Sequence, residues 1–243
     1  MNESGSNAPV VLITGAAGGL GRAFVEAFAA AGWRVAAACR SLPADHVSSD
    51  SNSIWWCTLD VTRPDEITER VSELQSRWGQ IDLLINNAGI SEDEVLPRMT
   101  EESWQRVMDV NLRGAFLCAR AVLPKMVERR EGQILNIASF GGRVGRAGTA
   151  NYSASKAGLL GLTVALAREH GRDNIRVNAL LPGFLRTKLV GSLSEADLAA
   201  HAASNTLNRL NSTDEVASFA TQLATLRNVS GQIFQLDSRI GPW

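Results

Sequence analysis

The sequence predicts an α/β protein built on one doubly wound parallel sheet of about seven strands with helices on both faces. Short β-branched or apolar runs alternate with longer amphipathic stretches from Val10 to Leu236, the rhythm of a parallel sheet with crossover helices. The first run ends in a glycine-rich stretch that opens a helix. No linker, charge block or low-complexity stretch divides the 243 residues. They therefore read as a single domain over 9–243, behind a polar and disordered tail over 1–8.

The elements follow in order. Val10–Ile13 is a buried strand, and Arg22–Ala31 a helix stopped by Gly32 at the position past its end. Arg34–Cys39 and Ile54–Leu59 are the second and third strands. Thr62 is the expected cap of a helix with Pro64 in its first turn. Ile81–Ile85 is the fourth strand. Thr100 caps a long helix reaching about Arg129, with Glu101 and Glu102 placed to favour the helix dipole. Gln133–Ala138 is the fifth strand, followed by a helix through Tyr152 and the sixth strand, Arg176–Leu180. Ser212-Thr213-Asp214-Glu215 has capping-box spacing and opens a late helix before a last strand over Gln232–Leu236.

Composition removes several classes of function. With 45% hydrophobic and 20% charged residues the chain is an ordinary globular protein, and a net charge of -1 gives no electrostatic case for nucleic acid or an anionic membrane. No apolar run is long enough to span a bilayer, and the opening Met1-Asn2-Glu3-Ser4 has no secretory character. Cys39, Cys57 and Cys118 are widely spaced and odd in number, which suits reduced, packed thiols and a cytoplasmic setting. His46, His170 and His201 lack metal-ligand spacing with any cysteine, so no metal site is expected.

Two segments carry chemistry. Thr14-Gly15-Ala16-Ala17-Gly18-Gly19-Leu20-Gly21 lies between a strand and a helix. Glycines there permit a tight turn and bring backbone N–H groups to a pyrophosphate at the helix N-terminus, which makes a dinucleotide site. The fold is accordingly Rossmann-type. The second strand ends in Cys39-Arg40-Ser41, with no carboxylate to hold a ribose hydroxyl. Arg40 beside Ser41 suits a 2′-phosphate, so NADP(H) is favoured. Gly18 offers no basic side chain to help grip that phosphate.

The second segment holds the only tyrosine. Lys156 follows Tyr152 by four positions, which on a helix stands both side chains on one face about a turn apart. A nearby ammonium favours the phenolate and lowers the phenol's pKa, making the pair a proton-transfer device.

Together, Thr14-Gly15-x-x-x-Gly19-x-Gly21, Asp60-Val61, Asn86-Asn87-Ala88-Gly89, Asn111, Ser139, Tyr152-x-x-x-Lys156 and Pro182-Gly183 resemble the short-chain dehydrogenase/reductase family in order and spacing, over roughly residues 9 to 236. The resemblance implies a catalytic set of Asn111, Ser139, Tyr152 and Lys156. Tyr152 would protonate a carbonyl oxygen as hydride arrives, and Lys156 would lower its pKa and bind the nicotinamide ribose. Ser139 would hydrogen-bond the carbonyl, and Asn111 would interrupt the long helix and hold a water linking Lys156 to solvent. It also implies a cofactor cleft of Gly15, Gly18, Gly19, Leu20, Gly21, Arg40, Ser41, Asp60, Val61, Asn87, Ala88, Gly89, Tyr152, Lys156, Pro182, Gly183 and Thr187. Asn86 would tie neighbouring strands together, and Ser155 would pack the helix.

Within the family, Asn86–Ile90 leading to Leu96-Pro97-Arg98-Met99-Thr100, Asn151–Gly158 and Leu181–Thr187 are most similar to 3-oxoacyl-(acyl carrier protein) reductases. That implies NADPH-dependent reduction of a 3-oxoacyl thioester, on acyl carrier protein or CoA, and a homotetramer formed through the helices near Thr100–Arg129 and Tyr152–His170. Arg129, Arg130 and Arg172 are candidates to meet an acidic carrier at the cleft mouth. Two alternatives stand beside this reading: a reductase or dehydrogenase of another small ketone or alcohol, and a non-catalytic NADP-binding subunit. The ending Gln235-Leu236-Asp237-Ser238-Arg239-Ile240-Gly241-Pro242-Trp243 departs from the family's glycine pair. Arg239 and Trp243 there either reshape the pocket or oligomer or belong to a frayed terminus.

Overall fold

A computed structural model of the chain describes residues 8–44, 53–187 and 194–240. The tail over 1–7, His46 and Trp243 lie outside the described residues. Ala8, expected in the tail, is held: its carbonyl accepts from Arg34 Nε at 3.3 Å and Nη2 at 3.0 Å.

Seven strands form one sheet in the order β3-β2-β1-β4-β5-β6-β7, every neighbouring pair parallel. They are β1 (Val10–Thr14), β2 (Arg34–Cys39), β3 (Ile54–Thr58), β4 (Leu83–Asn86), β5 (Gly132–Ile137), β6 (Ile175–Leu181) and β7 (Ile233–Gln235). β1, β4, β5 and β6 are buried along their whole length, as strands covered on both faces are, and the polar Gln133, Asn136, Arg176 and Asn178 are buried with them. Alternate residues feed two cores. Val10, Leu12 and Leu84 face one side with α2 (Pro64–Trp78) and α4 (Gly114–Arg129). Val11, Ile13 and Ile85 face the other with α1 (Gly19–Ala30) and α8 (Thr213–Thr225). All three cysteines are buried thiols, Cys57 and Cys118 pushed up to about 12 by burial.

Local signals explain most boundaries. Gly32, past the end of α1, takes φ 82°, a left-handed conformation that glycine enters at no cost. Thr100 Oγ1 accepts from Ser103 N at 3.1 Å and caps α3 (Glu101–Met108). Ser212 Oγ accepts from Glu215 N at 3.1 Å and caps α8. One expected cap is corrected: Arg63, with no side-chain cap bond, precedes α2. Thr62 instead gives both its N–H and its hydroxyl to Asp60 Oδ1, at 2.9 and 2.7 Å, because a short hydroxyl beside a carboxylate closes a local turn. The long helix is three pieces: α3, a π-helical stretch over Asp109–Arg113, and α4. Such wide turns are rare and concentrate at functional sites.

The strand order reverses between β1 and β4, so loops leaving their carboxyl ends run apart and open a crevice. The loops after β1, β2, β4, β5 and β6 all emerge at that edge, and α5 (Gly141–Val144) and α6 (Ala150–His170) follow β5 there. Beyond β6, α7 (Glu195–Ala203) opens with a reciprocal cap between Ser194 and Asp197.

Candidate active site

The floor of the crevice is a close fit between two loops. Thr14 Oγ1, at the end of β1, accepts from Asn87 N and Ala88 N, both at 3.1 Å. Asn87 Nδ2 returns to the carbonyls of Thr14 (3.0 Å) and Gly15 (3.1 Å). Gly15 stands at φ 66°, and a β-carbon on it would meet Ala88 Cα at 2.8 Å. A β-carbon on Gly21 would meet Gly15 O at 2.3 Å, and one on Gly19 would meet Thr187 Cγ2 at 2.9 Å. Backbone already occupies the space beside Gly15 and Gly21, so glycine is required there, whereas Gly19 faces the Thr187 side chain.

The helix that follows suits an anion. Gly18 precedes α1 with no side-chain cap, and no carboxylate stands in the first turn. Its first N–H groups are therefore left to whatever the loop encloses. Further along, a cleft of about 440 Å³ is lined by Arg40, Thr58, Leu59, Asp60, Glu66, Glu69 and Arg70. Arg40 and Ser41 are exposed at its edge. Burial raises the Asp60 carboxyl, but two hydrogen bonds from Thr62 and the charges of Arg40 and Arg63 outweigh it and hold the group below its usual range. The glycine loop, the uncapped helix start and Arg40 beside this cleft are the kinds of donor that a dinucleotide's phosphates require, so the residues fit the cofactor.

Two expected contacts turn away from the cleft. Leu20 is buried in the core around α1, and Val61 packs its side chain on Gly114, where a β-carbon would meet Val61 Cγ2 at 2.8 Å. Whatever either gives a cofactor comes from its main chain. Asn87 likewise spends its amide on the glycine loop.

Asn111, Ser139, Tyr152 and Lys156 come together at the crevice from three pieces of backbone, Tyr152 and Lys156 sharing α6. Asn111 sits in the π-helical stretch, 1% exposed. Its Oδ1 accepts from Ile90 N at 2.8 Å, and its Nδ2 donates to Ile90 O at 2.9 Å and Ser155 Oγ at 3.0 Å. Ser155, expected to serve only packing, thus anchors Asn111 while donating to Tyr152 O at 2.7 Å. Ser139, just past β5, accepts from Gly141 N at 3.1 Å and shares a hydrogen bond with the Tyr152 hydroxyl. A β-carbon on Gly89 would lie 3.4 Å from Asn111 Oδ1 and 3.5 Å from Lys156 Nζ, so Gly89 keeps open the space those groups face. Asn86, as expected, ties strands: its Nδ2 donates to Asn136 Oδ1 at 2.9 Å across β4 and β5.

The electrostatics of the pair differ from expectation. Lys156 Nζ stands 5.7 Å from the centre of the Tyr152 ring and donates to Ile137 O at 2.7 Å. Burial pulls its pKa down to about 8. The Tyr152 phenol is not lowered but raised above 10.0: burial dominates, the Ser139 hydrogen bond opposes it, and Asp93 adds to the rise while Arg146 pulls back. The physical reason is that burial of the phenol outweighs any charge in reach. A phenol raised in this way is protonated at neutral pH, the form a proton donor needs.

Arg129, Arg130 and Arg172 lie elsewhere. Arg129 donates to Glu131 O and Ile81 O, just before β5 and β4 begin, and Arg130 donates to Arg172 O, just before β6. Within the single chain this is the amino edge of the sheet, opposite the crevice.

Comparison with known proteins decides the family. The sequence pattern of short chain dehydrogenases matches residues 9–198. The chain belongs to the short-chain dehydrogenase family. It is 39% identical over 235 residues to 3-oxoacyl-(acyl-carrier-protein) reductase FabG of Thermotoga maritima, covering 94% of this chain and 96% of that protein. The reductases of the same name from Vibrio cholerae and Escherichia coli are 37% and 35% identical, each match covering 89% of both chains. This short-chain dehydrogenase is therefore an oxidoreductase acting on a CH–OH or C=O group. Among its described residues there is no cluster of metal-binding side chains and no helix long and apolar enough to cross a membrane.

Proposed function

We propose that the protein reduces a 3-oxoacyl thioester, carried on acyl carrier protein or CoA, to the 3-hydroxyacyl thioester with NADPH, in the cytoplasm. The observation that carries this is the convergence of Tyr152, Ser139, Lys156 and Asn111 on one crevice, in a chain 35–39% identical to several reductases of that substrate class. The bound nicotinamide supplies the hydride. Tyr152 gives its proton to the substrate carbonyl oxygen as negative charge builds there, and the Ser139 hydroxyl donates a hydrogen bond to the same oxygen. Lys156, held by Ile137 O, places a positive charge behind the phenol, and Asn111 ties the Gly89–Ile90 loop to Ser155 on the catalytic helix.

Gly15, Gly18, Gly19 and Gly21 admit the pyrophosphate, with Leu20 and Val61 contributing main chain. Asp60 and the Asn87–Gly89 loop border the adenosine and nicotinamide halves, and Pro182, Gly183 and Thr187 close the nicotinamide side. Arg40 and Ser41 take the 2′-phosphate. The same reading makes the enzyme a homotetramer through the helices near Thr100–Arg129 and Tyr152–His170, where Phe116 on α4 is exposed.

A panel of initial rates tests the proposal: acetoacetyl-carrier protein, acetoacetyl-CoA and free ketones, each with NADPH and with NADH. Oxidation of NADPH by the thioesters, in preference to NADH, is expected. No oxidation with either thioester refutes the substrate, and equal use of both cofactors refutes the role of Arg40.

A further inference from the structure

Past β7 the described residues Asp237–Arg239 are held by a compact set of hydrogen bonds. Asp237 has a side chain only 3% exposed, and Arg239 one 18% exposed. Arg239 Nε donates to Asp237 Oδ2 at 2.6 Å and its Nη2 closes a second contact on the same oxygen. Arg239 N and Gln235 Nε2 both donate to Asp237 Oδ1, at 3.3 and 2.7 Å. Gln235 Nε2 also reaches Arg239 O at 2.6 Å, and its Oε1 accepts from Arg143 Nη1 of α5 at 3.4 Å. The segment is thus folded around one buried carboxylate whose lone pairs are largely taken, the condition under which a buried ion pair fixes geometry.

That carboxylate and its arginine touch two loops of the crevice. Asp237 lies against Gly183: a β-carbon there would meet Asp237 Cβ at 2.7 Å, and Gly183 already stands at φ 84°. On the other side the Arg239 guanidinium carbon sits 4.1 Å from the centre of the Phe140 ring, a close cation–π contact. Phe140 is the residue between Ser139 and Gly141, whose N–H donates to Ser139 Oγ at 3.1 Å. Asn211 ties the ends of β6 and β7 together, donating to Pro182 O at 3.0 Å and Leu236 O at 2.9 Å.

We propose that Asp237 and Arg239 form a positioning device that locks the Ser139 loop to the Gly183 loop, so that the carbonyl-binding hydroxyl is held in register with the nicotinamide side of the cleft. Arg239 acts through Phe140 and touches no reacting atom. The inference rests on the proposed roles of Ser139 and Gly183, but not on which carbonyl is reduced. Ethyl acetoacetate, or any free ketone the wild type turns over, serves as substrate if the thioesters fail.

The test is a double-mutant cycle on the full-length enzyme. Arg239→Ala and Phe140→Leu should each lower kcat by about 10- to 100-fold through loosened orientation of Ser139, with the KM for the ketone moved much less. Arg239→Lys, which keeps the charge but not the planar stack, should recover part of that loss. The double variant Arg239→Ala/Phe140→Leu should be no slower than the worse single one, because both remove the same contact. If Arg239→Ala does not fold, Arg239→Lys with Phe140→Leu and their combination complete the cycle. Wild-type kcat in either single variant, or losses that multiply in the double, overturns the proposal.

Discussion

Gly142→Ala probes how tightly the serine-bearing segment is seated on the catalytic helix. A β-carbon at Gly142 would lie 2.6 Å from Lys156 C, 2.7 Å from Ala157 N and 2.9 Å from Lys156 Cβ. The first two are backbone atoms inside α6, which no rotamer change can move. Carbon contacts settle at about 3.5 Å or more, so α5 must retreat from α6 by roughly 1 Å. Overpacking of this kind costs about 1–3 kcal/mol. For a chain of this length each kcal/mol shifts Tm by roughly 2–4 °C, so a drop of about 2–12 °C is expected. The larger effect is on chemistry. Gly141, next in line, gives Ser139 Oγ its backbone hydrogen bond, and a displacement of about 1 Å at a reacting group costs on the order of 100-fold in rate. NADPH oxidation followed by absorbance and melting followed by circular dichroism measure the two losses. Gly171→Ala is the control, since nothing lies within 4 Å of that position, and it should stay within about 0.5 kcal/mol of wild type. Activity within twofold of wild type and an unchanged Tm for Gly142→Ala would refute the reasoning.

Two further outcomes follow from the buried polar groups. Ser155→Ala removes the oxygen that accepts from Asn111 Nδ2 at 3.0 Å; stability should fall by about 1–3 kcal/mol, and turnover should fall with it while NADPH affinity, measured by fluorescence, holds. Lys156→Met should abolish activity and show a pH-dependent stability difference. The Lys156 pKa is depressed from 10.5 to about 8 by burial, so between those values the unfolded chain binds a proton that the folded one does not. The wild type therefore carries its full handicap below pH 8 and loses it as pH rises toward 10.5. Relative to the methionine variant its Tm should climb over that window, and a flat or falling difference would show that Lys156 is not desolvated.

Much of this was legible in the sequence, for identifiable reasons. Gly15 and Gly21 could be read because a turn that packs backbone on backbone admits no other residue, and Gly32 because a left-handed helix end selects glycine. Asn111 was expected to interrupt its helix and does, in a π-helical stretch. What escaped was decided by partners that a residue's own type does not reveal, some adjacent and some far along the chain. Thr62 looked like a cap until Asp60, two residues back, claimed its hydroxyl. Ser155 looked like packing because its partner Asn111 is 44 residues away. Arg129, Arg130 and Arg172 were picked out by charge alone; in the single chain Arg129 and Arg130 hold backbone carbonyls at the amino edge of the sheet. The sequence spacing of Tyr152 and Lys156 located the pair correctly but misjudged the sign of the phenol's shift, since spacing reports proximity and not burial. Asp237 and Arg239 stood out only as a departure; their grip on Gly183 and Phe140 needed the fold.

The central claim is that the Tyr152 hydroxyl delivers the proton that completes carbonyl reduction. Its most direct test is single-turnover NADPH oxidation with acetoacetyl-carrier protein by wild type and Tyr152→Phe, with NADPH binding measured in parallel. Unchanged NADPH binding and a rate at least about 100-fold lower in the variant are expected, the contribution of a positioned proton donor. A Tyr152→Phe enzyme that reduces the thioester at the wild-type rate would contradict it.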